Sequence, residues 1–369
     1  MTLQYVYISR LFNRSGYHIL KHLLQEGSLR PAAVMLPEAP EPNPLDDAAT
    51  ADLDMARHAR DVAWYGSRNL RFHGSLRRLA TDARIPVVAF KSIKDAEAQD
   101  WLREFDPDLL VLGGGWPELL PESVIRMPRL GVINTHPSLL PEFRGTDVHR
   151  WQVNAGVTTT GTTIHYVDEQ FDTGDIIGQA STPIAASDSP QELAEKAAWV
   201  AAPLMQEVLT AIAHAAPQRV PGKPQAGRND TSRYYSVWRW HDRSFLRLDL
   251  TRPAVEIARF VLACTQESYR YNGPFFPWGG SDFILREARV VPHSGEGSPG
   301  DVLAITDDGI IVRCGDEDQA LCMTQVQPTR EQEWQTRSHS NPAWTGEELR
   351  IRMPLGIGDN LDSTPHHKG

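Results

Sequence analysis

Gly131–Gly145 reads GVINTHPSLLPEFRG, an apolar run that delivers two polar side chains and then meets Pro137 and Pro141. If the strand continues to His136, the side-chain period of two puts Asn134 and His136 on one face and Thr135 on the other. Proline cannot donate to a sheet ladder, so Pro137 ends the pairing at the sheet edge, where open parallel sheets keep their ligand crevices. An amide and an imidazole are therefore expected to face one crevice.

Upstream of this stretch, strands and helices alternate. Strands are expected over Leu3–Ser9, Pro31–Leu36, Pro86–Phe90 and Leu109–Leu112, and helices over Ser15–Gln25, Ser75–Asp82 and Ala96–Glu104. Such alternation is the pattern of an α/β domain whose mostly parallel sheet carries helices on both faces. Pro37–Gly74 interrupts it with a proline-rich acidic run and then a basic, aromatic one. Within that excursion Trp64, Tyr65, Arg68 and Arg71 have the chemistry to contact an anionic substrate. The strand at Leu109–Leu112 runs into Gly113, Gly114, Gly115 and Trp116, a turn in which backbone can approach a ligand closely. It is neither GxGxxG nor a Walker loop, so a phosphate cradle is not indicated.

Downstream, a short helix is expected near Val148–Ala155, followed by strands Thr159–Val167 and Asp175–Ala180 around the loop DEQFDTG, which contains Asp172. An amphipathic helix from Ser189 to Ala213 closes a first domain of residues 1–214. Residues 215–230 are rich in Pro, Gly and charge and read as a linker. In 231–329 a helix at Ala254–Leu262 precedes short strands at Phe283–Val290, Asp301–Ile305, Ile310–Cys314 and Ala320–Val326, with an Asp308–Gly309 hairpin signal. That spacing predicts a small β-barrel. Residues 330–369 are polar and aperiodic and read as a tail.

Composition narrows the class. At 369 residues the chain is too long for one average domain. A net charge of -10 argues against non-specific nucleic-acid binding, which needs clustered cations to neutralise phosphates. No signal-peptide pattern and no apolar run of about twenty residues is present, so a cytoplasmic protein without membrane attachment is expected. Cys264, Cys314 and Cys322 are odd in number and lack CxxC spacing, so buried reduced thiols are expected rather than a disulfide framework or a zinc knuckle.

A longer set of residues carries a resemblance. Asn134-Thr135-His136-Pro137-Ser138-Leu139-Leu140-Pro141, then Phe143-Arg144-Gly145, then Gly161-Thr162-Thr163-Ile164-His165, and finally Asp172-Thr173-Gly174 are similar, in order and spacing, to the folate-dependent formyltransferases. That family includes methionyl-tRNA formyltransferase, glycinamide ribonucleotide transformylase and the sugar-nucleotide N-formyltransferases. Leu248–Gln327 resembles, more weakly, the barrel domain appended in some members. The resemblance implies a Rossmann-like N-terminal domain, an OB-like barrel, and catalytic roles for Asn134, His136 and Asp172. It also implies N10-formyltetrahydrofolate as co-substrate, with the pterin near Gly113, Gly114, Gly115, Trp116, Leu140, Val167 and Asp168.

The chemistry suits those residue types. An amine attacking a formyl carbon creates an oxyanion, which an amide N–H on Asn134 and an imidazole N–H on His136 can stabilise. Asp172 can hold the imidazole and relay the amine proton through water, and no metal is required. The acidic loop after the second strand, and Thr146-Asp147-Val148-His149-Arg150 after Gly145, depart from the tRNA members and favour a small-molecule amine, an amino sugar nucleotide foremost. Arg144, Thr146, His149, Arg150, Trp64 and Tyr65 are the candidate acceptor contacts. Methionyl-tRNA formyltransferase is the alternative, with tRNA as partner. A formyltetrahydrofolate hydrolase and a non-catalytic folate-binding protein are further ones, and a homodimer is a possible assembly.

Overall fold

A computed structural model of the chain describes residues 3–10, 13–38, 75–116, 118–227, 230, 234–236, 239–240, 242–264, 273–278, 281–294, 296–329, 344–345, 353 and 359–361. The chain forms two compact units, one from Met1–Val148, Thr158–Ala185 and Gln191–Tyr235, the other from His149–Val157, Ala186–Pro190 and Ser236–Gly369. Trp64, Tyr65, Arg68 and Arg71 lie outside the described residues, as does nearly all of the expected tail.

The first unit begins with β1 (Tyr5–Ile8), α1 (Arg14–Glu26), β2 (Ala33–Pro37), α2 (Leu76–Asp82), β3 (Val87–Phe90), α3 (Ala96–Phe105), β4 (Leu109–Leu112), α4 (Glu122–Ile125) and β5 (Val132–His136). A two-residue strand β6 (Arg144–Gly145) follows, and α5 (Val148–Ala155) belongs almost entirely to the second unit. The chain then gives β7 (Thr159–Tyr166), β8 (Ile176–Pro183), α6 (Pro190–Ala215) and β9 (Tyr234–Tyr235). The main sheet has the order β3-β2-β1-β4-β5-β7-β8. It is parallel from β3 to β5, and β7 and β8 continue it antiparallel.

The apolar runs make this sheet because both of its faces are covered. Tyr5, Tyr7, Val34, Leu36, Val111 and Ile133 pack on one side with Ile19, Leu20 and Leu23 of α1 and Met205 and Leu209 of α6. Their neighbours Val6, Ile8, Met35, Leu110, Leu112 and Val132 pack on the other with Leu102 of α3 and Val124 of α4. Alternate residues of one strand thus feed two cores. Helix α1 is capped at both ends: the Asn13 side chain accepts from Gly16 N at 2.8 Å, and Gly27 closes it in the left-handed region.

The expected linker behaves differently. Lys223 pairs with Ile176 through both backbone bonds, at 2.9 and 2.7 Å, and β9 runs parallel to β6. The first unit therefore extends to Tyr235 rather than ending at residue 214. Proline and glycine had suggested free chain, yet the N–H and C=O groups between the prolines are still obliged to find partners, and the sheet edge supplies them.

In the second unit α7 (Arg243–Leu246) and α8 (Ala254–Ala263) precede β10 (Phe275–Trp278), β11 (Ser281–Pro292), β12 (Val302–Ile305), β13 (Ile310–Arg313) and β14 (Gln319–Thr329). These strands form an antiparallel sheet in the order β10-β11-β14-β13-β12, curled into a half-barrel. Register shifts at Glu287 bend β11 as a bulge does. The hairpin falls where Asp308–Gly309 signals it, closed by Thr306 N to Gly309 O at 2.9 Å. Strand β10 escapes sequence reading because Pro277 argues against a ladder position. All three cysteines are free and buried. Among the described residues no helix is long and apolar enough to cross a membrane.

Ile133 immediately precedes Asn134 in β5 and is fully buried. Ile133→Ala is expected to cost about 2–5 kcal/mol of stability, read by urea unfolding of the purified variant.

Candidate active site

Strand β5 ends the parallel part of the sheet, and its antiparallel neighbour β7 sets Asn134 opposite His165 and His136 opposite Thr163. Two imidazoles and an amide thus share one region at the strand end. Asp172 enters from the loop between β7 and β8 with φ of 56°, in the left-handed region. Gly174 lets that loop press on β7, since a Cβ there would collide with the Tyr166 carbonyl.

The contacts among these groups fix their proton positions. His165 Nδ1 lies 2.8 Å from Tyr166 O, and a carbonyl can only accept, so Nδ1 carries the proton and Nε2 receives one from Asn134 Nδ2 at 3.2 Å. Asn134 Nδ2 also donates to Asp172 Oδ1 at 3.4 Å. The same reasoning applies to His136: Nε2 lies 2.7 Å from Phe143 O and must be the protonated nitrogen. Its Nδ1 then faces Asp172 Oδ2 at 3.4 Å. Asp172 Oδ2 also accepts from Gly145 N at 2.8 Å, and His165 Nε2 approaches Oδ1 to 3.6 Å.

Burial by itself would raise the Asp172 carboxyl, but His136, His165 and the Gly145 N–H outweigh it and bring it down to about 2. Burial lowers His136, against the pull of Asp172 and the bond to Phe143. The resting pair is therefore an ionised carboxylate beside a neutral imidazole whose Nδ1 lone pair awaits a proton.

This geometry differs from the expectation in one respect. Asn134 was expected to offer its N–H groups to a ligand, whereas both are directed at His165 and Asp172, and its Oδ1 has no hydrogen bond among the described residues. His165 stood in the GTTIH motif, but nothing in the linear sequence assigned it to the site. Only the β5–β7 register, which sets it beside Asn134, could have revealed it.

The candidate acceptor residues separate. Arg144 is 2% exposed; its Nε and Nη2 donate to Gln225 Oε1 at 3.2 and 2.9 Å, and Nη1 to Gly227 O at 3.1 Å. Arg150 and His149 belong to the second unit. There Arg150 is fully buried, its Nε on Ala263 O at 2.8 Å and its guanidinium 4.4 Å above the Trp240 ring. Arg144 is thus held by a side-chain amide and a backbone carbonyl, and Arg150 by a backbone carbonyl and an aromatic face. Thr146 is exposed, with its backbone N on Tyr235 O at 2.9 Å.

The residues expected to meet the folate donor are held by local contacts. Gly113 N donates to Ile8 O at 2.8 Å and Ser9 Oγ to Gly114 O at 3.2 Å, which pins the glycine turn beside the start of α1. Trp116 and Val167 pack against the same apolar cluster. Trp116 Nε1 is buried and has no hydrogen-bond partner among the described residues. An orphaned donor beside an apolar wall fits the acceptor edge of a bound heteroaromatic ring, such as a pterin. Leu140 is held by Thr163 Oγ1 and Gln179 Nε2 at 3.0 and 2.9 Å, and Asp168 Oδ1 fastens its loop through Gln170 N and Thr173 Oγ1.

Asp172 also makes stability depend on pH. A carboxyl lowered from its ordinary value to about 2 adds stability that is complete above about pH 4 and is lost as pH falls through about 2. Asp172→Asn should remove that component, of about 2 kcal/mol, and flatten the acid limb of the unfolding profile between those values.

Two family models match the sequence: formyl transferase over residues 58–209, and formyl transferase, C-terminal domain, over residues 242–341. A methionyl-tRNA formyltransferase of Pseudomonas fluorescens is 34% identical over 257 residues, 68% of this chain and 74% of that relative. Among solved structures, an N-formyltransferase from Helicobacter canadensis bound to folinic acid and dTDP-3-aminofucose aligns with TM-score 0.56 and 14% identity, covering 87% of this chain and 99% of that one. HypX from Aquifex aeolicus aligns with TM-score 0.53 and 14% identity over 98% of this chain, which spans 49% of the length of HypX. At such identity these two structures share the fold. Both domain models and a relative above 30% identity agree with the cluster at the end of β5: the chain belongs to the folate-dependent formyl transferase family.

Proposed function

We propose that the chain transfers the formyl group of N10-formyltetrahydrofolate to the amine of methionyl-tRNA, with Asn134, His136 and Asp172 as catalytic residues. The observation that carries the catalytic reading is the convergence of Asn134, His136 and His165 on the Asp172 carboxylate, all within 3.6 Å of it. The acceptor rests on relatives 33–35% identical that bear the name methionyl-tRNA formyltransferase, among them those of Pseudomonas fluorescens and Pseudomonas putida. This reverses the preference for an amino sugar nucleotide, because sugar N-formyltransferases are alike in fold at only 14–16% identity.

When bound, the folate co-substrate supplies a formyl carbon activated toward an amine. The chain's own groups do the rest. Asn134 is oriented by His165 and Asp172, and its open Oδ1 accepts from the N–H of the incoming amine, aiming the lone pair. His136 exchanges the Phe143 carbonyl for the formyl oxygen as an acceptor of its Nε2–H, where negative charge develops. Asp172 stabilises the imidazolium formed when Nδ1 takes up, through water, the proton that the attacking amine loses. That proton then passes to the folate nitrogen as its bond to the formyl carbon breaks, releasing tetrahydrofolate, and the carboxylate must stay ionised throughout. Trp116 and Val167 give the ring system of the donor an apolar wall and one hydrogen-bond donor.

Formylation assays with N10-formyltetrahydrofolate and either Met-tRNA or an amino sugar nucleotide test the acceptor. Formyl-Met-tRNA should form, with binding that weakens steeply as salt rises. Formylation of the sugar nucleotide alone would overturn the tRNA acceptor, and folate turnover without any acceptor would replace transfer by hydrolysis. His136→Ala should reduce kcat by about a hundred- to a thousandfold, and Asn134→Ala by about a hundredfold through misplacement of the amine. Wild-type rates in either folded variant would remove that residue from the catalytic set.

A further inference from the structure

Gln225 lies in the stretch whose composition suggested a linker, outside every motif of the family resemblance, yet it is 7% exposed and fully engaged. Its Nε2 donates to Asp172 O at 2.9 Å and to Gly174 O at 2.7 Å. Its Oε1 accepts from Arg144 Nε and Nη2 at 3.2 and 2.9 Å. Only this orientation of the amide is allowed, since the flipped one would set its oxygen against two carbonyls and its NH2 against a guanidinium.

Both ends of Asp172 are therefore traced to the same short strand. Its backbone is tied through Gln225 to Arg144, and its carboxylate is tied directly to the N–H of Gly145, the next residue. Asp172 occupies the left-handed region at φ of 56°, a conformation that non-glycine residues rarely adopt and that persists only where surroundings impose it. Gly145 has no latitude either, because at φ of 104° a Cβ would collide with the Tyr235 carbonyl of β9.

We propose that Arg144 and Gln225 form a positioning clamp that holds Asp172 in its strained backbone conformation and so delivers its carboxylate to His136 and to the Gly145 N–H. The clamp rests on the catalytic reading of Asp172 given above. Neither residue touches the reacting atoms. The groups that face Asp172 are His136 and the Asn134 amide from β5, the Gly145 N–H from β6, His165 from β7 and the Tyr234 phenol from β9, and the Arg144 charge is felt by His136. If the clamp opens, the carboxylate loses the Gly145 N–H and retreats from His136, which makes it easier to protonate.

The test uses the full-length chain with Gln225→Met, which keeps the length of the side chain and removes its hydrogen bonds, and Arg144→Lys, which keeps the charge and removes the two-pronged contact. Each variant should lose about ten- to a hundredfold in kcat, with KM for donor and acceptor within about twofold of wild type. With the carboxylate farther away His136 is easier to deprotonate, so the acid limb of each variant's kcat profile should move to lower pH. Carbon-13 titration of the Asp172 carboxyl should move the opposite way, to higher pH, without any substrate present. Unchanged kcat in a folded variant, or a fall in kcat with the acid limb and the Asp172 titration unmoved, overturns the clamp. If wild type transfers no formyl group, the proposed function fails and the titration alone decides the clamp. Should Gln225→Met not fold, the same readings on Arg144→Lys decide.

Discussion

A buried carboxylate is costly unless every one of its oxygens is answered, and Asp172 organises the first unit around that requirement. The side chain is 10% exposed, and the groups that answer it come from β5, β6 and β7, three elements distant in sequence. Ionised, it orders Asn134 and keeps two imidazoles within 3.6 Å. The strained backbone of Asp172, the glycine at 145 and the pairing of β6 with β9 all follow from bringing those answers to one point.

The α/β frame that makes this possible is legible in the chain because each of its segments obeys one local rule. VINTH reads as a buried strand, and LLVL and YVYI alternate between two apolar faces, as a sheet covered on both sides demands. Strand β4 matches its expected bounds at Leu109–Leu112, and α5 does so at Val148–Ala155. Where local rules conflict, the reading fails. Pro277 hid β10, and the prolines and glycines of 215–227 hid a segment whose backbone completes the edge of β8 at Ile176.

Within the site, residue types were readable but their wiring was not. Asn134 and His136 declare themselves by their period-two spacing before Pro137, and Asp172 by its motif. The orientation of the Asn134 amide, by contrast, depends on His165 across the β5–β7 ladder, and a register cannot be counted along one strand. Arginines are hard to place for a related reason: a guanidinium near a site invites an anion, but it can equally meet carbonyls and an aromatic ring, as Arg144 and Arg150 do.

By itself the sequence determined the fold class, the strand that carries the site, and three of its polar groups, because periodicity, proline and a long ordered motif are properties of neighbouring residues. Tertiary structure alone decided that His165 joins them, that Asn134 turns its oxygen outward, and that Gln225 ties Asp172 to Arg144. Those outcomes depend on which donors and acceptors meet when distant segments are brought together, as with Asn134 and His165 or Arg144 and Gln225, separated by 31 and 81 positions. Hydrogen-bond satisfaction inside a folded core is a condition on pairs, and no single stretch of chain contains both members.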